Sequence, residues 1–415
     1  MTRPSERPPL MALDDALASL LAKARPVLGT ESVSTFEADG RVLAQDVVSA
    51  LTVPPRDNSS MDGYAVRAAD CAAVGTVLTV AQRIPAGSVG TPLAAGTAAR
   101  IFTGAQIPEG ADAVVMQEDT GALPDEGSLG RVRIDVVPTA GQWIRRAGED
   151  VAAGDIVLAR GERLSPAALG LAASVGLDRL EVARRPRVVL LSTGDELAMP
   201  GEVAPEAMKP GAIYNSNRFF MRALLHRLGC EVTDLGIVPD RRDATIEALR
   251  TAAESNDLIV TTGGVSVGEE DHIKGAVEAL GELQLWSLSM KPGKPFAYGR
   301  IGNAHVTGLP GNPVSSFLTF LLLVRPFLLT LQGATRVAPE PVAMRADFDW
   351  PRADRRREFL RARRNAAGGL DLFANQSSGV LTSAVWGDGV IDTPAGQPFQ
   401  RGDLVQFIPF ASLLG

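Results

Sequence analysis

The chain has 415 residues, 41 basic and 48 acidic, for a net charge of −7. That balance excludes a protein that coats nucleic acid, because no positive field exists to gather phosphates. Only five of the basic residues are lysines (Lys23, Lys209, Lys274, Lys291 and Lys294), and the last two stand three residues apart. Cys71 and Cys230 are distant and lack a CxxC context, and His226, His272 and His305 lack ligand spacing. Neither a disulfide framework nor a zinc site is expected, and a reducing, cytoplasmic setting is. The segment Met1–Leu10 is polar and Pro-rich, without a signal-peptide core. The apolar run Phe317–Val324 reads as ending at Arg325-Pro326, short of the roughly 20 residues a membrane helix needs.

Along the chain, Leu13 to Ala24 carries leucines at helical spacing. From Thr52 to Asp150 the texture turns to short β-rich runs broken by Gly and Pro, such as Thr76–Val80, Ala98–Phe102 and Ala113–Met116. Leu164 to Val175 reads as a helix, with Ser165 and Pro166 suited to its N-cap and first turn. Then strands alternate with helices: Val188–Leu191, helix Ser216–Leu228, Val232–Val238, helix Asp243–Glu254, and Leu258–Thr261. That alternation predicts a mostly parallel sheet covered on both faces. Beyond about Val342 the pattern is short β-runs, with Leu404–Ile408 an example, and no strong helix. The fold class is therefore multidomain α/β plus β. The expected domains are 8–50 with 151–185 (helical linker region), 51–150 (β-rich), 186–335 (three-layer α/β) and 336–415 (C-terminal, β).

Three loops follow strands of the α/β region, where open α/β sheets place ligands. Ser192-Thr193-Gly194-Asp195-Glu196 offers hydroxyls and carboxylates; a solvated acidic turn is the plain alternative. Thr261 to Gly268, including Gly263, Gly264 and Ser266, has the glycines and hydroxyls to cradle an anion, and Glu269-Glu270-Asp271 follows. It is neither a Walker A loop nor a GxGxxG turn. Lys291-Pro292-Gly293-Lys294-Pro295 holds two ammonium groups on a stiff turn, which is unfavourable unless an anion lies between them. Gly308 to Ser315 leads into an apolar helix, with Asn312 suited to the N-cap and Pro313 to the first turn. Seven arginines between residues 352 and 364 read as a solvated strand face.

Together these stretches, with Asp57 to Arg67, Arg100 to Gly104 and Val114 to Glu118, resemble the molybdopterin molybdenumtransferase family, which includes the E-domain of gephyrin. The resemblance runs from about residue 10 to the C-terminus. It implies a C-terminal β-barrel-like domain and an elongated homodimer, with a site shared between the α/β domain of one subunit and the β-rich domain of the other. It also implies insertion of molybdate into adenylylated molybdopterin with release of AMP, dependent on Mg²⁺. The adenylyltransferase that supplies this substrate is an implied partner, and neither nucleic acid nor membrane is.

Carried over by position, Lys291, Lys294 and Ser315 match molybdate-binding positions, Arg361 and Ser378 match contributions from the last domain, and Pro295 is a further substrate-binding position. Glu196, Asp240 and Asp271 match acidic positions tied to Mg²⁺, and Asp62, Thr103, Arg145 and Asp150 match β-domain positions of the cleft. Ala147 stands where many members carry a basic residue, and Ser377 replaces a common glycine. A non-catalytic pterin-binding scaffold and a tungstate-inserting paralogue are the alternative readings.

Overall fold

The computed structural model describes residues 10–25, 28–239, 241–263 and 272–414. Its centre is a six-stranded sheet in the order Glu231–Val238, Arg187–Thr193, Leu258–Thr262, Ala304–Leu309, Pro295–Ile301, Glu282–Ser287. The first four strands are parallel, and Pro295–Ile301 runs antiparallel to both of its neighbours, which gives the mostly parallel sheet the sequence predicts.

Strand pleating sends alternate residues to opposite faces, and two separate cores result. Val188, Leu190, Leu258 and Val260 pack with the helices Leu13–Lys23 and Ser216–Arg227 and with the helical run 313–331. Val189, Leu191 and Ile259 pack with Arg242–Ser255 and His272–Leu280 on the other face. The first helix, grouped by sequence with the linker region, thus buries Leu13, Ala16 and Leu20 in the central core. Met11 fastens its start by backbone hydrogen bonds to Ser287 and Ser289.

The apolar run does not stop at Arg325-Pro326. One helical stretch continues from Pro313 to Leu331, 19 residues, and is mostly buried inside the protein. Phe320–Val324 winds as a π-helix just before the proline. Its wider turn relieves the clash and the missing N–H that Pro326 would bring to an α-helix. Arg325 survives burial because its guanidinium donates to the carbonyls of Val337 (3.0 Å) and Ser412 (3.3 Å).

The β-rich segment forms a six-stranded mixed sheet in the order Ala113–Met116, Gly63–Val66, Thr97–Ile101, Thr76–Ile84, Arg131–Ile134, Thr120–Leu123. Before and after it the chain rejoins itself. Thr30–Ser34 pairs with Arg179–Ala183, and Val47–Val48 pairs with Ile156–Leu158, around their own small core. Helix Pro166–Ser174 lies there, capped as expected by the Ser165 hydroxyl, which accepts from the Ala168 amide.

The last sheet runs Met290–Lys291, Arg357–Arg364, Gly389–Thr393, Leu404–Pro409, Val342–Arg345, with Leu370–Leu372 beside Arg357–Arg364. A bridge between Ala346 and Leu370 brings its ends together. Two short helices, Thr382–Trp386 and Phe410–Leu414, complete this part. The lysine-bearing pair Met290–Lys291, placed by sequence in the α/β region, is a parallel edge strand of this last sheet. The arginine-rich stretch is solvated only in part: Arg352, Arg355, Arg363 and Arg364 are exposed, but five consecutive residues of Arg357–Arg364 are buried, and Arg357 is paired with Asp392 and Asp14.

Candidate functional site

Strand order places the site. The chain leaves Arg187–Thr193 for Glu231–Val238 on one side and returns to Leu258–Thr262 on the other. The loops after Arg187–Thr193 and Leu258–Thr262 therefore diverge and leave a crevice at the strand ends. Ser192 and Thr262 share a 3.0 Å hydroxyl hydrogen bond across its floor. Gly263 turns with φ +87°, and a Cβ there would lie 3.0 Å from the Thr193 carbonyl, so only glycine suits the position. Its amide donates to the Leu309 carbonyl (3.1 Å). Gly264, Ser266, Asp240 and Asp271 lie outside the described residues.

Glu196 is exposed, its carboxylate folded over Gly194, where a Cβ would meet an oxygen at 2.5 Å. A carboxylate on a strand-end loop is a hard oxygen donor of the kind Mg²⁺ takes. No group of three or more metal-ligating side chains occurs among the described residues.

The lysine loop precedes Pro295–Ile301, two strands along the sheet from Leu258–Thr262. Gly293 has φ +115°, and a Cβ there would fall 2.6 Å from the Thr319 hydroxyl, so the loop lies tight against the long helix. The Lys291 ammonium is paired with Glu358 (3.1 Å) and Asp354 (3.3 Å). Burial pulls its pKa down, but hydrogen bonding and charge from Glu358 and then Asp354 outweigh that, leaving it above the ordinary lysine value. The Arg356 side chain, opposed in part by burial, holds the Asp354 carboxyl well below the usual range, with help from the Arg356 amide and Lys291. Lys294 is exposed and has no ion-pair partner among the described residues, and Pro295 opens the strand that follows.

Ser315 is buried at the start of the long helix. Asn312 occupies the cap position without a side-chain cap; its carbonyl accepts from the Ser316 amide, and the Ser316 hydroxyl donates to Pro310. The Val314 amide donates to the Ser378 carbonyl (2.9 Å), so the last domain closes part of a helix end that the sequence leaves open to an anion. That bond also joins Ser315 and Ser378 into one neighbourhood.

Arg361, by contrast, is turned inward. At 1% exposure, its guanidinium donates to Ser383 Oγ (3.0 Å) and to the carbonyls of Phe359 (3.1 Å) and Ser377 (3.3 Å). Burial lowers its pKa to about 10. In this structure Arg361 braces the Ser377-Ser378 loop instead of presenting its charge to the crevice.

Asp62 and Thr103 form a second cluster on the β-rich sheet. One Asp62 oxygen accepts from the Thr103 amide (2.8 Å) and hydroxyl (2.7 Å), which lowers the carboxyl pKa. Arg145 lies exposed on the two-residue strand Ile144–Arg145, and Asp150 is exposed with its amide bonded to the Val53 carbonyl. Asp57 binds the Ala147 amide (2.8 Å) and Arg146 (2.6 Å), which fixes the loop that carries Ala147. Among the described residues, no hydrogen bond or ion pair joins this cluster to the crevice loops.

From sequence, Asp354 and Glu358 read only as partial charge offsets to the arginine run, and Trp350 carries no signal at all. Sequence reading also passed over Asn217, whose side-chain amide donates to the Gly311 carbonyl (2.7 Å) and pins the loop before Ser315.

A ligand-binding α/β domain, with a β sheet before it in the chain and another after it, is the class this arrangement defines. Residues 11–176 match the MoeA N-terminal region (domain I and II), 189–330 a probable molybdopterin binding domain, and 343–410 the MoeA C-terminal region (domain IV). The molybdopterin molybdenumtransferase of Haemophilus influenzae is 42% identical over 78% of this chain and 78% of its own. Molybdopterin molybdenumtransferase 2 of Mycobacterium tuberculosis is 37% identical over 91% of this chain and 93% of its own. The crystal structure of the molybdopterin biosynthesis moeA protein from Pyrococcus horikoshii superposes with a TM-score of 0.82 at 30% identity, covering 97% of this chain and all of that one. The chain belongs to the molybdopterin molybdenumtransferase family and is an enzyme of that family.

Proposed function

We propose that the protein inserts molybdate into adenylylated molybdopterin and releases AMP. The observation that carries the reading is the grouping at one end of the central sheet of a glycine turn with hydroxyls, an acidic strand-end loop, an exposed lysine, and the Val314–Ser378 backbone bond beside Ser315. Molybdate is a compact dianion, and an ammonium held on a stiff loop beside hydroxyl donors is a receptor for it. The backbone around Gly263 would take the pterin phosphate, where a closely approaching main chain offers its amides.

Glu196, with Asp240 and Asp271, would hold Mg²⁺, which when bound would neutralise charge on the bridging phosphates. Asp62 and Thr103, locked to each other on a different sheet, fit a site completed between two subunits of a homodimer. A cytoplasmic setting, with an adenylyltransferase handing on the substrate, completes the reading. Incubating the chain with adenylylated molybdopterin, Mg²⁺ and molybdate and measuring AMP tests it. AMP release that also requires Asp271, and is lost in Asp271→Asn, is expected; an unchanged Asp271→Asn variant would remove the metal-ligand role.

A further inference from the structure

The two lysines of the Lys291–Lys294 loop are not equivalent. Lys291 lies opposite Glu358 in the parallel pairing of Met290–Lys291 with the strand Arg357–Arg364, so its carboxylate partner is set by register. Glu358 is only 2% exposed, and its second oxygen accepts from Trp350 Nε1 (3.0 Å) and the Asp354 amide (2.9 Å). Asp354 is in turn gripped by the Arg356 guanidinium at 3.0 and 3.1 Å. A buried carboxylate fixed by three neighbours cannot swing away to free its lysine. Lys291 and Arg356 against Asp354 and Glu358 make a cluster of zero net charge, which offers an incoming anion no attraction. Lys294 is exposed and has no ion-pair partner among the described residues.

We propose that Asp354 and Glu358 are positioning residues that neutralise and fix Lys291, so that Lys294 is the ammonium that meets the oxyanion. The inference rests on the molybdate reading above and divides the work within that same loop. Lys291 anchors the loop to the last sheet, and the loop presents Lys294 from a fixed base. Each lysine then answers to a different perturbation.

With only five lysines in the chain, amine acetylation of the full-length protein, followed by peptide mass spectrometry, reads each one separately. Lys294 is expected to react at least about tenfold faster than Lys291, whose amine is held protonated by its carboxylates. Saturating molybdate, with molybdopterin present, should slow Lys294 and leave Lys291 unchanged. Glu358→Gln should raise the Lys291 rate at least about fivefold without changing Lys294, because the buried countercharge is gone. Asp354→Asn, which keeps the Trp350–Glu358 contact, makes the same prediction if Glu358→Gln does not fold. Protection of Lys291 by molybdate, or a Lys291 rate indifferent to both variants, would overturn the inference. If molybdate protects neither lysine while the variants still unmask Lys291, the clamp stands and the molybdate reading of the loop fails.

Discussion

Ser192 and Thr262, buried at the ends of adjacent parallel strands, hold each other through a single 3.0 Å hydrogen bond at the point where the two loops of the crevice part. Thr262→Val keeps the shape and removes the hydroxyl, leaving Ser192 without that partner. The expected cost is about 1–3 kcal/mol, seen as a lower melting temperature, together with weaker molybdopterin binding. A variant as stable as the parent would show that the bond contributes nothing to the crevice.

Gly293 is the tightest point of the lysine loop. Gly293→Ala must either leave its φ of +115° or push the new Cβ into the Thr319 hydroxyl and the Met290 side chain. Strain of about 1–3 kcal/mol is expected to displace the loop, so turnover falls while the rest of the fold persists. Circular dichroism beside an activity assay separates the two effects.

Asp62→Ala releases the Thr103 amide and hydroxyl together, and turnover is expected to fall at least about tenfold with little change in melting temperature, because the pair lies at the surface. Thr103→Ser retains both donors and should keep most activity. If Asp62→Ala keeps full turnover, the β-rich cluster is not part of the site.

His305 makes stability depend on pH. It is buried, with the Tyr298 hydroxyl 2.8 Å from its Nδ1. Burial, aided by the charge of Arg300, lowers its pKa to about 4. An unfolded histidine takes a proton below about pH 6.5, so between those values the unfolded chain binds the extra proton. Stability therefore falls as pH drops from 6.5 toward 4, by on the order of 3 kcal/mol at full extent. Melting curves at pH 7 and pH 5 should converge in His305→Gln; an unchanged pH slope would assign the effect elsewhere.

Much of the central domain was legible because its strands are short apolar runs and its helices carry regular stripes, so Val188 to Leu191 and Ser216 to Leu228 need only small adjustments at their ends. The long helix was not, because a π-turn that accommodates Pro326 has no signature in hydrophobic spacing. The glycine and lysine loops announced themselves through composition. Their partners did not: Glu358 and Asp354 sit more than sixty residues beyond Lys291 and reach it only because Met290–Lys291 joins the last sheet. Arg361 shows the converse, a residue whose motif suggests contact with the ligand and whose burial gives it a bracing role. Local pattern records strands, helices and turns; cross-sheet pairing of charges depends on register that the pattern leaves open.

Molybdate titration of AMP release, run side by side on the parent chain and Lys294→Ala, decides whether Lys294 receives the oxyanion. The parent should release AMP in proportion to bound adenylylated molybdopterin, with release rising and saturating as molybdate is added. Lys294→Ala should need at least about tenfold more molybdate for the same rate while melting at the same temperature. AMP release that ignores molybdate in the parent, or an identical titration curve in Lys294→Ala, would contradict the account.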